Sequence, residues 1–468
     1  MNVLRPLVAP PADHDGLPVP RRYFAALTIW LTTGMSVLDS AIANIALPTI
    51  ATDLHSSPAT AVWVINAYQL AITMLLLPLA ALGDRIGHAR VYRPGMALFV
   101  VGSLLCAMSH SLPMLIVGRV VQGVGAAGIL CMNSALVRAT YPAALLGRGI
   151  GYNALVISLS AAAGPTLAAA ILAVAPWPWL FAVNVPVGLA AFAIGWRCLP
   201  NAPGHGHQPD YVAAALSAAM LGLTIYGAEH YAREGAAAGL VLLMAGLGCG
   251  AALLLWERGK PAPLFPVDLL RIPIFSLSLL TSITSFGAQM LVYVTMPFLL
   301  QKVWGHSVVE SGLLMTPWPL AVAVTATVAG RLADRWPAGL LGGAGLLVLA
   351  FGLFSLARLG SHPAAVEVAW RMALCGAGFG FFQSPNTRTM VGSAPRHRAG
   401  AAGGMLATAR LIGQTSGAVA VAVGFHRLGM TSGPLLLTCA AIAALLGACA
   451  SVARLGVRAP AGVPGFRS

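Results

Sequence analysis

From about Tyr23 the chain alternates long apolar runs with short polar breaks. The runs fall near 24–48, 60–82, 94–111, 113–136, 150–174, 178–199, 211–229, 236–256, 274–299, 311–331, 339–358, 365–387, 402–424 and 433–453. A helix needs about 20 apolar residues to cross the ~30 Å hydrocarbon core of a bilayer. The pattern therefore predicts about fourteen membrane-spanning helices. Lipid offers the backbone no hydrogen-bond partners, so Gly- and Ala-rich runs of this length must close their own bonds as helices. The short alternating segments of a membrane β-barrel are absent from the sequence.

Composition removes the soluble alternative. The chain is 58% hydrophobic and 9% charged, with a mean hydropathy of +0.82, whereas soluble domains carry about 25% charged residues. The reading is an all-α polytopic membrane protein. Positive residues in short loops stay cytoplasmic. With the N-terminus inside, the inward segments collect Arg21, Arg22, Arg85, Arg90, Arg93, Arg138, Arg148, Arg197, Arg258, Lys260, Arg271, Arg331, Arg335, Arg388, Arg396, Arg398, Arg454 and Arg458; the outward loops hold Arg233, Lys302, Arg358 and Arg427. This asymmetry favours an even number of spans, both termini in the cytoplasm and an inner-membrane location. It also accounts for the net charge of +14 through anionic headgroups, with no nucleic-acid partner needed.

The Pro-rich stretch 1–22 lacks the features of a signal peptide and reads as a disordered cytoplasmic tail. The seven cysteines sit in or beside apolar runs and read as packing residues, not a disulfide frame or a metal site. His205 and His207 have no companion Cys or carboxylate cluster and read as a solvated loop. No metal or cofactor is expected, and no Walker loop or Ser-His pair suggests an enzyme.

The two ends of the chain echo each other. LAALGDRIGHARVYR (79–93) and VAGRLADRWPAGL (328–340) both place L-x-D-R at the end of the second helix of a six-helix set. GRVVQGVGAAG (118–128) and WRMALCGAGFG (370–380) each follow an Arg with glycines at the start of a fourth helix. Parallel repeats of this kind mark transporters that rock two halves about a midplane site.

Five stretches carry a resemblance: LDSAIANIALP, ALGDRIGHAR, LIVGRVVQGVGAAG, SAAAGPTLAAA and WPWLFAVNVPVG. Together they resemble the major facilitator superfamily, in particular its fourteen-helix drug:proton antiporters of the QacA and EmrB branch. The resemblance implies two six-helix bundles, 23–200 and 272–455, a linker at 201–271 with two additional helices, and tails at 1–22 and 456–468. It also departs from that branch. Ser160, Ala168 and Ala169 replace glycines of the fifth-helix motif, and Pro178 stands where the helix-six motif has an Arg.

Of thirteen acidic residues, Asp39 alone falls near the middle of a predicted helix, while Glu229 closes its span near the outer surface. A mid-bilayer charge costs about 2.5–3.5 kcal/mol on insertion scales, and Arg119, also inside a run, is its natural partner. In the transporters this chain resembles, the first-helix Asp is protonated and the fourth-helix Arg tunes it; the plainer reading is an ion pair that only fixes packing. Gly83, Asp84, Arg85, Gly87 and Arg90, with Asp334 and Arg335 in the second half, are expected to form a cytoplasmic gate loop in which Asp84 faces a helix N-terminus across the bundle interface. Gly164 and Pro165 are expected to bend or thin the fifth helix.

Candidate cavity residues are Asn44, Tyr68, Gln69, Gln289, Tyr293, Phe382 and Gln383, the polar and aromatic positions of inward-capable helices. One acidic group among aromatics suits lipophilic or monocationic compounds. The expected function is proton-coupled efflux of such small molecules by a monomer, with protons, substrate and the bilayer as partners. The alternatives are transport of a single endogenous metabolite and a transport-inactive membrane sensor. The additional helices are expected to be peripheral and lipid-facing.

Overall fold

The computed structural model describes residues 16–200, 210–234, 237–258, 260, 267–333, 335–394 and 399–457. Asp334, His205, His207, Arg396, Arg398 and Arg458 lie outside them. The described chain is helical throughout: α1 (Arg21–Asp53), α2 (Pro58–Ile86), α3 (His88–Ala107), α4 (Leu112–Thr140), α5 (Leu146–Val174), α6 (Trp179–Cys198), α7 (Tyr211–Glu234), α8 (Ala237–Trp256), α9 (Pro273–Phe298), α10 (Val308–Leu332), α11 (Ala338–Ala357), α12 (Ala365–Gly392), α13 (Ala399–Leu428) and α14 (Gly433–Ala453).

Twelve segments are long and apolar enough to cross a membrane by length and composition, fewer than the fourteen runs expected. Two local facts explain the difference. The last segment, Ala402–Gly456, is 55 residues long and holds both α13 and α14, turned about the 3-10 stretch Gly429–Ser432. Helix α3 does not qualify, because its first two turns carry His88, Arg90, Arg93 and Pro94.

Helices α1 to α6 pack chiefly against one another, as do α9 to α14. In lipid the hydrophobic effect does not press helices together, so small residues that permit close backbone approach do much of this work. Gly125 of α4 is the clearest instance: a Cβ there would lie 2.3 Å from the Phe99 nitrogen and 2.7 Å from the Gly95 oxygen of α3.

The hinge between α2 and α3 corrects the expected gate loop. Gly83, Asp84 and Arg85 belong to α2, Arg90 belongs to α3, and Gly87 alone forms the break, at φ +104°. That conformation suits glycine. Residues 1–15 of the expected tail lie outside the described residues, and its last residues are tied to the fold. Helix α1 begins at Arg21, the Leu17 amide donates to the Thr140 carbonyl at 3.0 Å, and Arg21 Nε donates to the Cys198 carbonyl at 3.1 Å.

The helix ends bearing Arg21, Arg85, Arg138, Arg197 and Arg454 form one side of the molecule, here called the basic end. At the far end the halves are joined: Gln301 Nε2 donates to the Ile45 carbonyl at 3.0 Å, Lys302 Nζ to Thr52 Oγ1 at 2.6 Å, and Thr166 and Thr316 hydroxyls meet at 2.8 Å. One hydrophobic core spans both halves there, with Ile42, Leu47 and Ile65 packed together with Met296, Phe298 and Leu314. Toward the basic end lie two further cores, one around Tyr92, Phe99 and Met132, against which Ala407 and Leu411 of α13 pack, and one around Phe275, Met390 and Met405. Helix ends on that side leave Ile150, Leu155, Val324 and Val328 exposed. The hydrogen bonds between the halves named here gather at the far end.

Helices α7 and α8 are among the least buried spans, with 22% of each inside the molecule, and α7 is the inner of the two. It covers α2 and α13, and Gly222 sits against Met74; α8 lies outside it. Glu229 is buried near the end of its span, Tyr211–Tyr231, and the helix itself runs on to Glu234.

We expect Gly125→Ala to lower stability by about 1–3 kcal/mol through overpacking, and Gly248→Ala, whose Cβ would meet open space, to be neutral. Unfolding midpoints in detergent check this; equal midpoints would show that the α3–α4 crossing has slack.

Candidate functional site

Asp39 and Arg119, 80 residues apart in the chain, are brought together. Asp39 is the nineteenth residue of the 33-residue α1, and Arg119 lies in the third turn of α4. Both side chains are 1% exposed, and Arg119 Nη1 donates to Asp39 Oδ2. Burying a charge this deeply is tolerated only with pairing and complete hydrogen bonding. The surroundings supply both.

Asp39 Oδ1 accepts from Gln122 Nε2 at 2.8 Å and from Asn184 Nδ2 at 3.0 Å. Gln122 lies one turn beyond Arg119, the spacing that puts both on one helix face; its Oε1 accepts from Arg119 Nη1 at 2.6 Å, and its Nε2 also donates to Ser103 Oγ at 2.9 Å. Arg119 Nε donates to the Val64 carbonyl at 2.9 Å. The guanidinium carbon sits 4.1 Å from the Tyr68 ring centroid and 5.5 Å from that of Phe181, positions that add cation–π attraction. Tyr68 in turn donates its hydroxyl to the Ser36 carbonyl at 3.2 Å. One carboxylate thus gathers groups from α1, α2, α3, α4 and α6.

Gln122 and Asn184 were not singled out from the sequence, although both stand inside stretches that carried the resemblance. Neutral amides in apolar runs give a weak signal. The spacing of Gln122 from Arg119 was the readable part.

The remaining predicted residues scatter. Asp84 does not face a helix across the interface; it is 76% exposed and meets His88 Nε2 at 3.1 Å on its own hinge. Arg85 donates to the Tyr211 hydroxyl at 2.6 Å, Arg90 to the Ile86 carbonyl at 3.2 Å, and Arg335 is exposed. Helix α5 continues through Pro165. A Cβ on Gly164 would lie 2.4 Å from that of Ala41, and the Pro165 carbonyl abuts Gly312 of α10, so the pair sits where α5 touches both halves.

Among the cavity candidates, Tyr68 belongs to the ion-pair site. Asn44 donates to the Ser40 carbonyl at 3.1 Å, while its Oδ1 and the Gln69 Oε1 are buried without a partner. Gln289 and Tyr293 lie one turn apart on α9; Tyr293 meets Trp318 edge to face at 5.4 Å. Gln383 is half-buried, and Phe382 is core, packed on Phe379 at 5.6 Å. Among the described residues no cluster of His, Cys, Asp or Glu has the makings of a metal site.

The sequence profile of the Major Facilitator Superfamily matches residues 29–418. The chain is 50% identical over 452 residues to the "Uncharacterized transporter YebQ" of Escherichia coli (strain K12), covering 95% of this chain and 98% of that one. It is 29% identical to the "Riboflavin transporter RibZ" of Clostridioides difficile (strain 630), covering 83% and 85%. It is 31% identical to the "Multidrug resistance protein Stp" of Mycobacterium tuberculosis (strain CDC 1551 / Oshkosh), covering 82% and 72%. Among solved structures, the POT family transporter PepTSo superposes with a TM-score of 0.71 at 17% identity, covering 94% and 98%. With a profile that spans most of its length and a half-identical relative along nearly all of it, the chain belongs to the Major Facilitator Superfamily of membrane transporters.

Proposed function

We propose that this protein is a proton-coupled exporter of lipophilic small molecules that works by alternating access, with fourteen membrane crossings and both termini in the cytoplasm. The observation that carries the reading is the Asp39–Arg119 pair, buried mid-bilayer and wired to five helices. Intramembrane ionisable residues are expensive and mark proton and substrate paths. The positive-inside rule assigns the basic end to the cytoplasm, so the joined far end faces outside.

The chemistry follows from the bonds. Every contact that Asp39 makes is with an N–H donor, which suits a carboxylate. Protonation removes the charge that holds Arg119 and adds an O–H donor facing other donors. The ties from α1 to α4 and α6 then weaken. In the proposed cycle Asp39 takes a proton from the outside, substrate leaves, the halves rock, and proton release to the cytoplasm restores the pair. At about 150 mV one inward proton supplies roughly 3.5 kcal/mol. A neutral substrate exchanged one for one is thereby concentrated a few hundredfold, at about tenfold per 1.4 kcal/mol.

The relative named for multidrug resistance favours a broad cargo range, and the relative named for riboflavin supports transport of a single metabolite as the second reading. Proteoliposomes with a pH dye distinguish them. Proton movement triggered by several unrelated lipophilic compounds supports the first; a response to one metabolite alone supports the second.

Two outcomes are expected of variants. Asp39→Asn should abolish substrate-triggered proton movement and cost about 3–5 kcal/mol in stability, because Arg119 is left buried and unpaired. Asp39→Asn combined with Arg119→Gln should recover most of that stability while remaining uncoupled; a double variant that still moves protons excludes Asp39 as the coupling group. In a background without the seven cysteines, Thr166→Cys with Thr316→Cys should form a disulfide under oxidant that stops transport, with reductant restoring it. Full transport by the cross-linked protein would show that the far end need not open.

A further inference from the structure

We infer that the first half carries a surface site for the phosphodiester headgroup of an anionic phospholipid, built where α1, α3 and α6 meet at the basic end. It is separate from the Asp39 pair and does not depend on the transport reading.

The three helices converge because Gly195 of α6 leaves room for no side chain: a Cβ there would lie 2.7 Å from Thr28 Cγ2 of α1 and 3.2 Å from Met96 Cε of α3. Their ends bring charge together. Arg21, the first residue of α1, donates through Nε to the Cys198 carbonyl at 3.1 Å and through Nη2 to the Leu199 carbonyl at 3.3 Å, which caps the last turn of α6. Arg93, in the second turn of α3, holds its guanidinium carbon 5.4 Å from the Trp196 ring centroid in that same turn. Two guanidiniums from different helices are thus fixed on one helix end, and Arg197 follows Trp196 in the chain as a third charge.

The cluster is unbalanced. Among the described residues no carboxylate pairs with Arg21, Arg93 or Arg197. Arg93 Nε is buried without an acceptor, and Arg21 uses two of a guanidinium's five N–H groups on α6, leaving the rest for a ligand. Arg371 and Arg410 also leave Nε unmet. Arg410, however, lies over the core ring of Phe286, and Arg371 lies 5.2 Å from the Trp370 ring next to it in its own helix. Arg93 instead stands on an exposed ring whose turn already holds a second guanidinium.

Apolar surface runs on from these charges. The exposed stripe of α3 passes from Pro94 through Leu98 to Val101, that of α6 runs from Trp196 back to Leu189, and Phe24 is exposed on α1 one turn from Arg21. Tryptophan beside arginine marks headgroup depth. A phosphodiester offers two anionic oxygens that guanidinium forks bind in pairs, and its acyl chains cover the stripes. A zwitterionic headgroup would add an ammonium where no described carboxylate receives it. Basic pockets between helices on the cytoplasmic side bind anionic headgroups in this way. The fitting ligand is therefore a phospholipid of net negative charge, such as phosphatidylglycerol.

The test titrates the full, delipidated chain in detergent with dioleoyl phosphatidylglycerol, with dioleoyl phosphatidylcholine and, as the soluble source of the same chemistry, with inorganic phosphate. Binding is read by native mass spectrometry and by the shift in unfolding midpoint. We expect saturable binding of phosphatidylglycerol that raises the midpoint, and none of phosphatidylcholine or inorganic phosphate. Arg93→Gln and Arg21→Gln should each weaken phosphatidylglycerol by about tenfold or more, with Arg93→Lys between Arg93→Gln and the native chain. Arg21→Gln also loses the cap on α6, so Arg93→Gln, which gives up no described hydrogen bond, decides: without phosphatidylglycerol it should unfold at the native midpoint. Arg258→Gln removes an exposed charge just beyond α8 and should bind within about twofold of the native chain, because attraction between separated surface charges is screened beyond ~8 Å at physiological salt. The proposal is overturned if phosphatidylcholine binds as tightly as phosphatidylglycerol, if inorganic phosphate raises the midpoint equally, or if Arg258→Gln weakens phosphatidylglycerol as much as Arg93→Gln does.

Discussion

The rest of the first half is organised around the need to keep one carboxylate charged inside a bilayer. Asp39 is stable there only while Arg119, Gln122 and Asn184 donate to it, and each of those groups is fixed by further contacts. Arg119 is held by the Val64 carbonyl and lies over Tyr68, and Gln122 is held by Ser103. Removing any one leaves a buried polar atom unmet, at about 1–3 kcal/mol each and more for a charged group. Such a network has two economical states, fully paired or neutralised and loosened. This bistability distinguishes a coupling site from a strut.

The second half repeats the scaffold and not the charge. Arg371 occupies the position that echoes Arg119, yet α9 offers serines and threonines where α1 offers Asp39: Ser278, Thr281, Ser282 and Ser285 are all buried. Their hydroxyls satisfy neighbours on their own helix or on α12: Ser278 Oγ donates to the Ile274 carbonyl at 2.7 Å, and Ser282 Oγ accepts from Asn386 Nδ2 at 2.8 Å. The buried Asp39–Arg119 pair belongs to the first half, whereas the far-end core, which includes Ile42 and Phe298, belongs to both.

Much of this was legible in the sequence because lipid imposes a simple rule. Apolar run length located the helices, and the cost of a charge inside a run exposed Asp39 and Arg119. Helix ends were less legible: Arg90 and Arg93 read as loop residues, yet they ride on α3, since a polar first turn is compatible with a helix that reaches the headgroups. The partner of Asp84 was not legible at all. That contact depends on which end is open, and periodicity carries no information on conformation.

The charge of the cargo also sets the energetics of exchange. An anion leaving the cell and a proton entering it both move positive charge inward, so the membrane potential drives each at about 2.3 kcal/mol per 100 mV. A one-for-one exchange of a monoanion for a proton then draws on two charges, whereas a monocation leaving would cancel the proton's electrical contribution.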